Sequence, residues 1–313
     1  MALLGSVDRK GEAMKVDGKK AVVTGGASGI GRAIAEALGQ RGCRVFILDI
    51  DARGAERAAA AIGNRSEARA CNVRDTDQLE SLARECWAEL GGVDLVFANA
   101  GAGPGAPLLK ASADEFDYIY EVNLRGAWAT CAAFGRLMVE ECREGHLCIT
   151  GSEHSLGMQH IGSGFYSASK AAILGLADVL RHELPDHIGV SLLCPGVTRT
   201  HFYDGGKKSG LPPPSPEAAA FAREILGRGM PAGEVAEIAL KGVEQGAWII
   251  PTHAASRKAA EIRAEEIARA FDRNAPPSEG AERYEVRKLI DEVRDEMRPI
   301  RNKTKAAKKA RKR

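Results

Sequence analysis

The chain has 313 residues, 44% of them hydrophobic and 27% charged, with a net charge of +2. That length forms one large α/β domain or two small ones, and the composition excludes a disordered or fibrous chain. No apolar run reaches membrane-spanning length and residues 1–20 lack the apolar core of a secretory signal, so a cytoplasmic protein is expected.

In chain order, residues 1–17 read as an N-terminal extension and KAVVTG as the first strand. A glycine turn and the helical stretch IGRAIAEALGQRG follow, then the strand RVFILD and the alanine-rich helix ARGAERAAAAIG. TDQLESLARECWAEL has helical spacing, VDLVFANA is strand-like, and residues 114–143 are helical again. HLCITGS and VSLLCPG are two more apolar strands. Apolar runs of strand length separated by helices predict a parallel sheet covered on both faces, an α/β doubly wound architecture.

After Pro195 the pattern loosens. Residues 199–231 carry GGKKSG and LPPPSP, and a long Pro/Gly-punctuated insertion predicts a lid over a site. His201, Phe202 and Tyr203 open it and are candidates to shape an apolar substrate pocket. A helix over 233–244 and a strand over 247–250 complete a catalytic domain spanning 18–254. Residues 255–297 give two charged helical stretches separated by NAPPSEG, a helical extension. Residues 298–313 hold nine Lys or Arg and no acid, which predicts a disordered basic tail on an otherwise net-acidic chain. That tail raises nucleic-acid or anionic-membrane contact as an alternative, with a plain solubilising terminus preferred. The seven cysteines are scattered without a C-x-x-C pair and predict reduced thiols and no metal site.

TGGASGIG, between a strand and a helix, suits a pyrophosphate: Gly25, Gly29 and Gly31 allow close backbone approach at a helix N-terminus. The next strand ends at Asp49, where a carboxylate can accept hydrogen bonds from a ribose diol and repel a 2′-phosphate. This favours NAD over NADP, with Arg32 and Arg53 the residues able to reverse that preference. Further on, Tyr166 and Lys170 lie four apart and so share a helix face. They are either a proton-transfer pair or surface neighbours. A transfer pair needs a donor to the substrate oxygen, and Ser152, Ser155, Ser163, Ser167 and Ser169 compete for it. Ser152 is preferred because it directly follows a strand, at the carboxyl end of the sheet, and Ser155 is the alternative.

TGGASGIG, ANAG at 98–101, Asn123 in VNLRG, a serine near 152, YSASK and PGVTRT at 195–200 occur in the order found in short-chain dehydrogenases/reductases. The chain resembles that family over residues 18–250. The resemblance implies a single Rossmann-type domain with a seven-stranded sheet, a homodimer or homotetramer, and hydride transfer between nicotinamide and an alcohol or carbonyl carbon. It implies that Tyr166 is the acid/base, that Lys170 lowers its pKa and holds the nicotinamide ribose, and that Asn123 supports a proton relay. It implies cofactor contacts from Ser28, Ile30, Val73, Ala100, Gly101, Pro195, Gly196, Val197 and Thr200. Two positions depart from the family pattern. Asn72 stands where Asp is frequent, and its carbonyl oxygen can still accept from the adenine amino group. Ala98 precedes Asn99 where a second Asn is frequent, and Asn99 is then read mainly as a brace between central strands. Glu153 and His154 either face substrate or stabilise their loop. The ending GVEQGAWIIPTH loosely resembles short-chain enzymes that oxidise the benzylic carbinol of lignin-type ethers, which suggests a bulky lipophilic or aromatic secondary alcohol. An NADP-dependent carbonyl reductase and a catalytically silent dinucleotide sensor are the alternatives.

Overall fold

The computed structural model describes residues 14–103, 105–158, 162–200, 202 and 215–297. Contacts divide the chain into two units, one running to Glu261 and the other containing residues 262–297. In the larger unit the strands are β1 (Lys20–Thr24), β2 (Arg44–Asp49), β3 (Glu67–Ala70), β4 (Leu95–Ala98), β5 (Gly145–Thr150), β6 (Ile188–Cys194), β7 (Thr198–Arg199), β8 (Met230–Pro231) and β9 (Ile249–Pro251). Seven of them form one parallel sheet in the order β3-β2-β1-β4-β5-β6-β9, and β7 pairs with β8 separately.

The helices are α1 (Gly29–Gln40), α2 (Ala52–Ile62), α3 (Thr76–Leu90), α4 (Ala113–Tyr120), α5 (Gly126–Glu140), α6 (Gly164–Glu183), α7 (Pro216–Gly227), α8 (Ala232–Glu244) and α9 (Ser256–Asn274). A further helix covers 286–297. Alternate strand residues point to opposite faces, so the sheet builds two cores. Ala21, Val23, Val45 and Ile47 pack with Ile34 and Leu38 of α1, Ala58 of α2 and Leu240 of α8. Val22, Phe46, Leu48 and Val96 pack with Leu79 of α3, Phe134 of α5 and Ile173 of α6. The first core also takes in Val16, which is fully buried and whose carbonyl accepts from Cys43 Sγ.

Two local features prepare the site. Gly25 and Gly29 have φ of +67° and +56°, the left-handed region in which a side chain is strained. Between α4 and α5 the helix widens into a π-turn at Glu121–Arg125, a distortion that carries Asn123 inward.

Candidate active site

A cleft of about 640 Å³ opens at the carboxyl ends of the parallel strands, where the strand order reverses between β1 and β4. Its floor begins at the glycine turn. A Cβ on Gly25 would lie 2.8 Å from Ala100 Cα, and one on Gly31 2.3 Å from the Gly25 carbonyl oxygen and 2.4 Å from Asn99 Nδ2. Gly25 and Gly29 border the cleft beside Ser28 and Ile30, whereas Gly31 lies beneath it and serves packing. Ser28 caps α1 without a side-chain bond and no acidic residue occupies the first turn. The start of α1 therefore offers its N–H groups and dipole to an anion.

At one end Asp49 ends β2. Its Oδ2 accepts from Ala27 N at 3.0 Å and its Oδ1 from Asp51 N at 2.8 Å, which fixes the carboxylate against the glycine turn. Asn72 and Val73 line the same end, and Asn72 Oδ1 accepts from Arg74 N at 3.1 Å. Arg32 instead pairs with Glu36 one turn along α1, and Arg53 is exposed, so neither lines this cleft. Asn99 does tie three strands together: its Nδ2 donates to Thr24 O at 3.2 Å and its Oδ1 accepts from Thr150 Oγ1 at 3.2 Å.

The opposite end holds the candidate chemistry. Lys170 is buried, donates from Nζ to Thr150 O at 2.8 Å, and lies 5.9 Å from the Tyr166 ring centroid. Burial pulls the Lys170 pKa down to about 8. Cys194 is close enough to Lys170 to interact electrostatically, but burial pushes its thiol up to about 12 and leaves it inert near neutrality. Asn123 Oδ1 accepts from Ala102 N at 2.7 Å, while its Nδ2 donates to Ala102 O at 2.9 Å and to Ser169 Oγ at 3.0 Å. Ser169 Oγ in turn donates to Tyr166 O at 2.8 Å. Asn123 thus clasps the loop after β4 to the turn of α6 that carries Tyr166 and Lys170.

The competing serines separate by their partners. Ser155 Oγ donates to Lys170 O at 2.6 Å and accepts from Ser152 N at 3.2 Å, so it braces α6 against the strand end. Ser167 Oγ bonds His154 Nδ1 at 2.8 Å, and Ser169 is occupied as described. Ser163 borders the cleft at the N-cap of α6. Ser152 lines the cleft and its Oγ accepts from His154 N at 3.3 Å, a bond that uses the oxygen as acceptor and leaves the O–H to donate.

Glu153 and His154 are both buried at the cleft wall. The His154 ring stands edge-on to Tyr166 at 5.2 Å between centroids, and Phe202 meets Tyr166 from another side at 5.9 Å. Pro195, Gly196, Val197 and Thr200 complete the wall, and Phe221 and Ile225 of α7 contribute apolar surface. His201 and Tyr203 lie outside the described residues, as does most of the expected lid ahead of Ser215.

Sequence reasoning missed Gly103, where a Cβ would lie 2.5 Å from Tyr166 Cδ2, and Thr150, whose carbonyl holds Lys170. It also missed His253 and Ser256, beyond β9, which reach back to the cleft wall. None belongs to a local pattern. Among the described residues no cluster of His, Cys, Asp or Glu could hold a metal, and no helix is long and apolar enough to cross a membrane.

A parallel sheet with a glycine turn at its switch point and a Tyr-x-x-x-Lys helix beside it defines an oxidoreductase of CH–OH groups built on a Rossmann-type fold. The chain belongs to the short-chain dehydrogenase family, whose model matches residues 19–208. A sorbitol dehydrogenase from Cereibacter sphaeroides is 33% identical over 193 residues, 61% of this chain and 75% of that one. A D-threitol dehydrogenase from Mycolicibacterium smegmatis is 32% identical over 206 residues, 63% of this chain and 78% of that one. A short-chain dehydrogenase from Burkholderia phymatum, crystallised with NAD, superposes with a TM-score of 0.78 at 28% identity, covering 85% of this chain and 99% of its own. As in that family, the cofactor is a nicotinamide dinucleotide, NAD(P).

Proposed function

We propose that the chain is an NAD-dependent dehydrogenase or reductase that moves hydride between nicotinamide and a bulky secondary alcohol or its ketone. The observation that carries this reading is the arrangement of one cleft, with Asp49 at one end and Tyr166, Lys170 and Ser152 at the other. The residues suit the cofactor. The uncapped start of α1 would hold the pyrophosphate, Asp49 the adenosine ribose, Asn72 and Val73 the adenine, Lys170 the nicotinamide ribose, and Pro195–Val197 with Thr200 the carboxamide, all of them residues at the cleft. The chemistry such a dinucleotide supplies when bound is acceptance or donation of hydride at the carbinol carbon.

Tyr166 takes the alcohol proton in oxidation and returns it in reduction. The Lys170 ammonium favours the phenolate that this requires. Ser152 donates to the substrate oxygen, where negative charge develops during the reaction. Asn123, through Ala102 and Ser169, fixes the backbone beside Lys170 and so supports the relay that returns Tyr166 to its starting protonation state. Phe202 beside the Tyr166 ring gives the substrate end an apolar wall, and Phe221 and Ile225 add apolar surface to the same cleft, which favours a lipophilic or aromatic alcohol over a polyol.

The test is turnover with NAD and NADP against a panel of aryl carbinols and polyols, with Tyr166→Phe as control. Activity with NAD on aryl carbinols that disappears in Tyr166→Phe is the expected result. Undiminished turnover in Tyr166→Phe would refute the acid/base assignment. Preference for NADP would refute the role of Asp49, and preference for polyols would refute the substrate class.

A further inference from the structure

The carboxyl ends of β5 and β6 are joined behind the cleft by residues the motifs do not include. Glu153, directly after Ser152, donates its N–H to Pro195 O at 2.9 Å. Its side chain is buried, and its Oε2 accepts from Ser256 Oγ at 2.6 Å. Ser256 is itself buried and begins α9, just after the turn in which its N–H bonds His253 O at 3.2 Å. His253 then grips the loop after β6 on two atoms. Its Nδ1 accepts from Gly196 N at 3.1 Å, and its Nε2 lies 3.1 Å from Val197 O. Thr252 Oγ1 stands 2.7 Å from the same Nδ1, and Thr252 N bonds Cys194 O at 3.3 Å.

These bonds favour one tautomer. Val197 O is an acceptor only, so Nε2 carries the proton, and Gly196 N–H lies nearer Nδ1, at 3.1 Å, than Thr252 Oγ1, at 3.4 Å, which makes Nδ1 the acceptor. The contact is also close-fitting. A Cβ on Gly196 would meet His253 Cγ at 2.7 Å and Glu153 Oε2 at 2.9 Å. Residue 196 therefore has to be glycine for the imidazole and the carboxylate to reach the loop.

We propose that His253 is a positioning residue that sets the Gly196–Val197 backbone for the nicotinamide carboxamide, and that Glu153 with Ser256 ties this clamp to the Ser152 loop. The inference rests on the cofactor placement proposed above. It assigns the junction between β9 and α9 a part in the site: hydride acceptor and substrate-oxygen donor are held in register by one hydrogen-bonded knot. It also gives Glu153 a role distinct from substrate contact.

The experiment uses the full chain and two readouts. The first is the nitrogen chemical shifts of the His253 ring in the cofactor-free protein, which should report the neutral Nε2–H tautomer. An Nδ1–H ring would overturn the clamp whether or not any dinucleotide binds. The second is NADH affinity by fluorescence titration, with kcat and KM, in His253→Ala, His253→Asn and Ser256→Ala. Asn places an oxygen acceptor near the Nδ1 position, so it should recover most of an approximately tenfold weakening caused by Ala. Ser256→Ala should lower kcat severalfold with a smaller change in NADH affinity, because it loosens the Ser152 end. Equal NADH affinity in parent, Ala and Asn variants would overturn the proposal, as would losses in all three that track only melting temperature. If the parent binds no dinucleotide, the cofactor reading fails separately, and the clamp is judged on the ring tautomer. Should His253→Ala fail to fold, Asn against Ser256→Ala and the tautomer still decide it.

Discussion

The Lys170 ammonium lies 5.9 Å from the centroid of the Tyr166 ring and is held by the Thr150 carbonyl at 2.8 Å. Burial brings the Lys170 pKa to about 8, so the group is mostly charged at pH 7 and loses its charge as the pH rises through that value. Replacing it with Met removes the charge at every pH. Tyr166, as the proposed base, then has to ionise unaided, nearer the ordinary tyrosine pKa of about 10. The alkaline shift of the kcat/KM profile is expected to be one unit or more, with kcat down about 100-fold near neutrality. In Tyr166→Phe, kcat should fall about 1,000-fold while NADH affinity stays within about threefold. Both are read from pH profiles and NADH titration, and an unshifted profile in Lys170→Met would count against the pairing.

Gly103 supplies a test of the position of Tyr166 that leaves its chemistry untouched. A Cβ there would sit 2.5 Å from Cδ2 and 3.1 Å from Cγ of the ring, so the ring has to move. Gly103→Ala should lower kcat 10- to 100-fold by displacing the phenol from its substrate, since misplacement of about 1 Å costs on that order. The proposed dinucleotide contacts at Asp49 and the start of α1 lie at the other end of the cleft, so NADH affinity should be nearly unchanged. A proportional loss of both would mean the variant disturbs the whole cleft.

What the sequence discloses and what it hides follow from the range of the interactions. β1, β2, β4, β5 and β6 are buried along most of their length and read as apolar runs. β3 is EARA at the sheet edge, partly exposed, with Arg69 paired to Glu85 and Glu67 to Arg44, and no apolar run marks it. Tyr166, Lys170 and the glycines are legible because their spacing within one turn already states their geometry. His253 and Ser256 are not, because they meet Gly196 and Glu153 across 57 and 103 residues. In sequence Ser152 is preferred to Ser155 on strand position alone, and the engagement of the Ser155 hydroxyl by Lys170 O, 15 residues away, becomes visible only in the fold.

The proposed preference for NAD rests on the charge and the fixed orientation of Asp49. Its carboxylate is held by Ala27 N and Asp51 N, and those donors remain when the side chain changes. Asp49→Asn keeps the shape, removes the charge that repels a 2′-phosphate, and can set an NH₂ against one of the two N–H donors. The expected outcome is a rise of about tenfold in KM for NAD and a comparable narrowing of the NAD-to-NADP ratio of kcat/KM. Initial rates with the two cofactors check it. An unchanged ratio would mean that discrimination lies elsewhere.

Six of the seven thiols are buried, and burial raises the pKa of each, to about 12 for Cys71, Cys131 and Cys194. In the unfolded chain the same thiols ionise near 8.5. Between those values the folded state holds more protons, so stability is complete below about pH 8 and is lost as the pH climbs. Each thiol contributes up to about 1.4 kcal/mol per pH unit once its unfolded form is ionised. Lys170 acts in the opposite sense: its folded pKa of about 8 lies below the ordinary lysine value, so its contribution rises with pH over that interval. Six groups outweigh one, and the net slope above pH 9 should be negative. Urea unfolding of the reduced protein at pH 8, 9 and 10 measures it. The Cys131→Ala, Cys148→Ala double variant should be less stable at pH 8, because two buried side chains are shortened, yet lose stability more slowly above pH 9. An identical alkaline slope in parent and variant would show that the thiols are not its source.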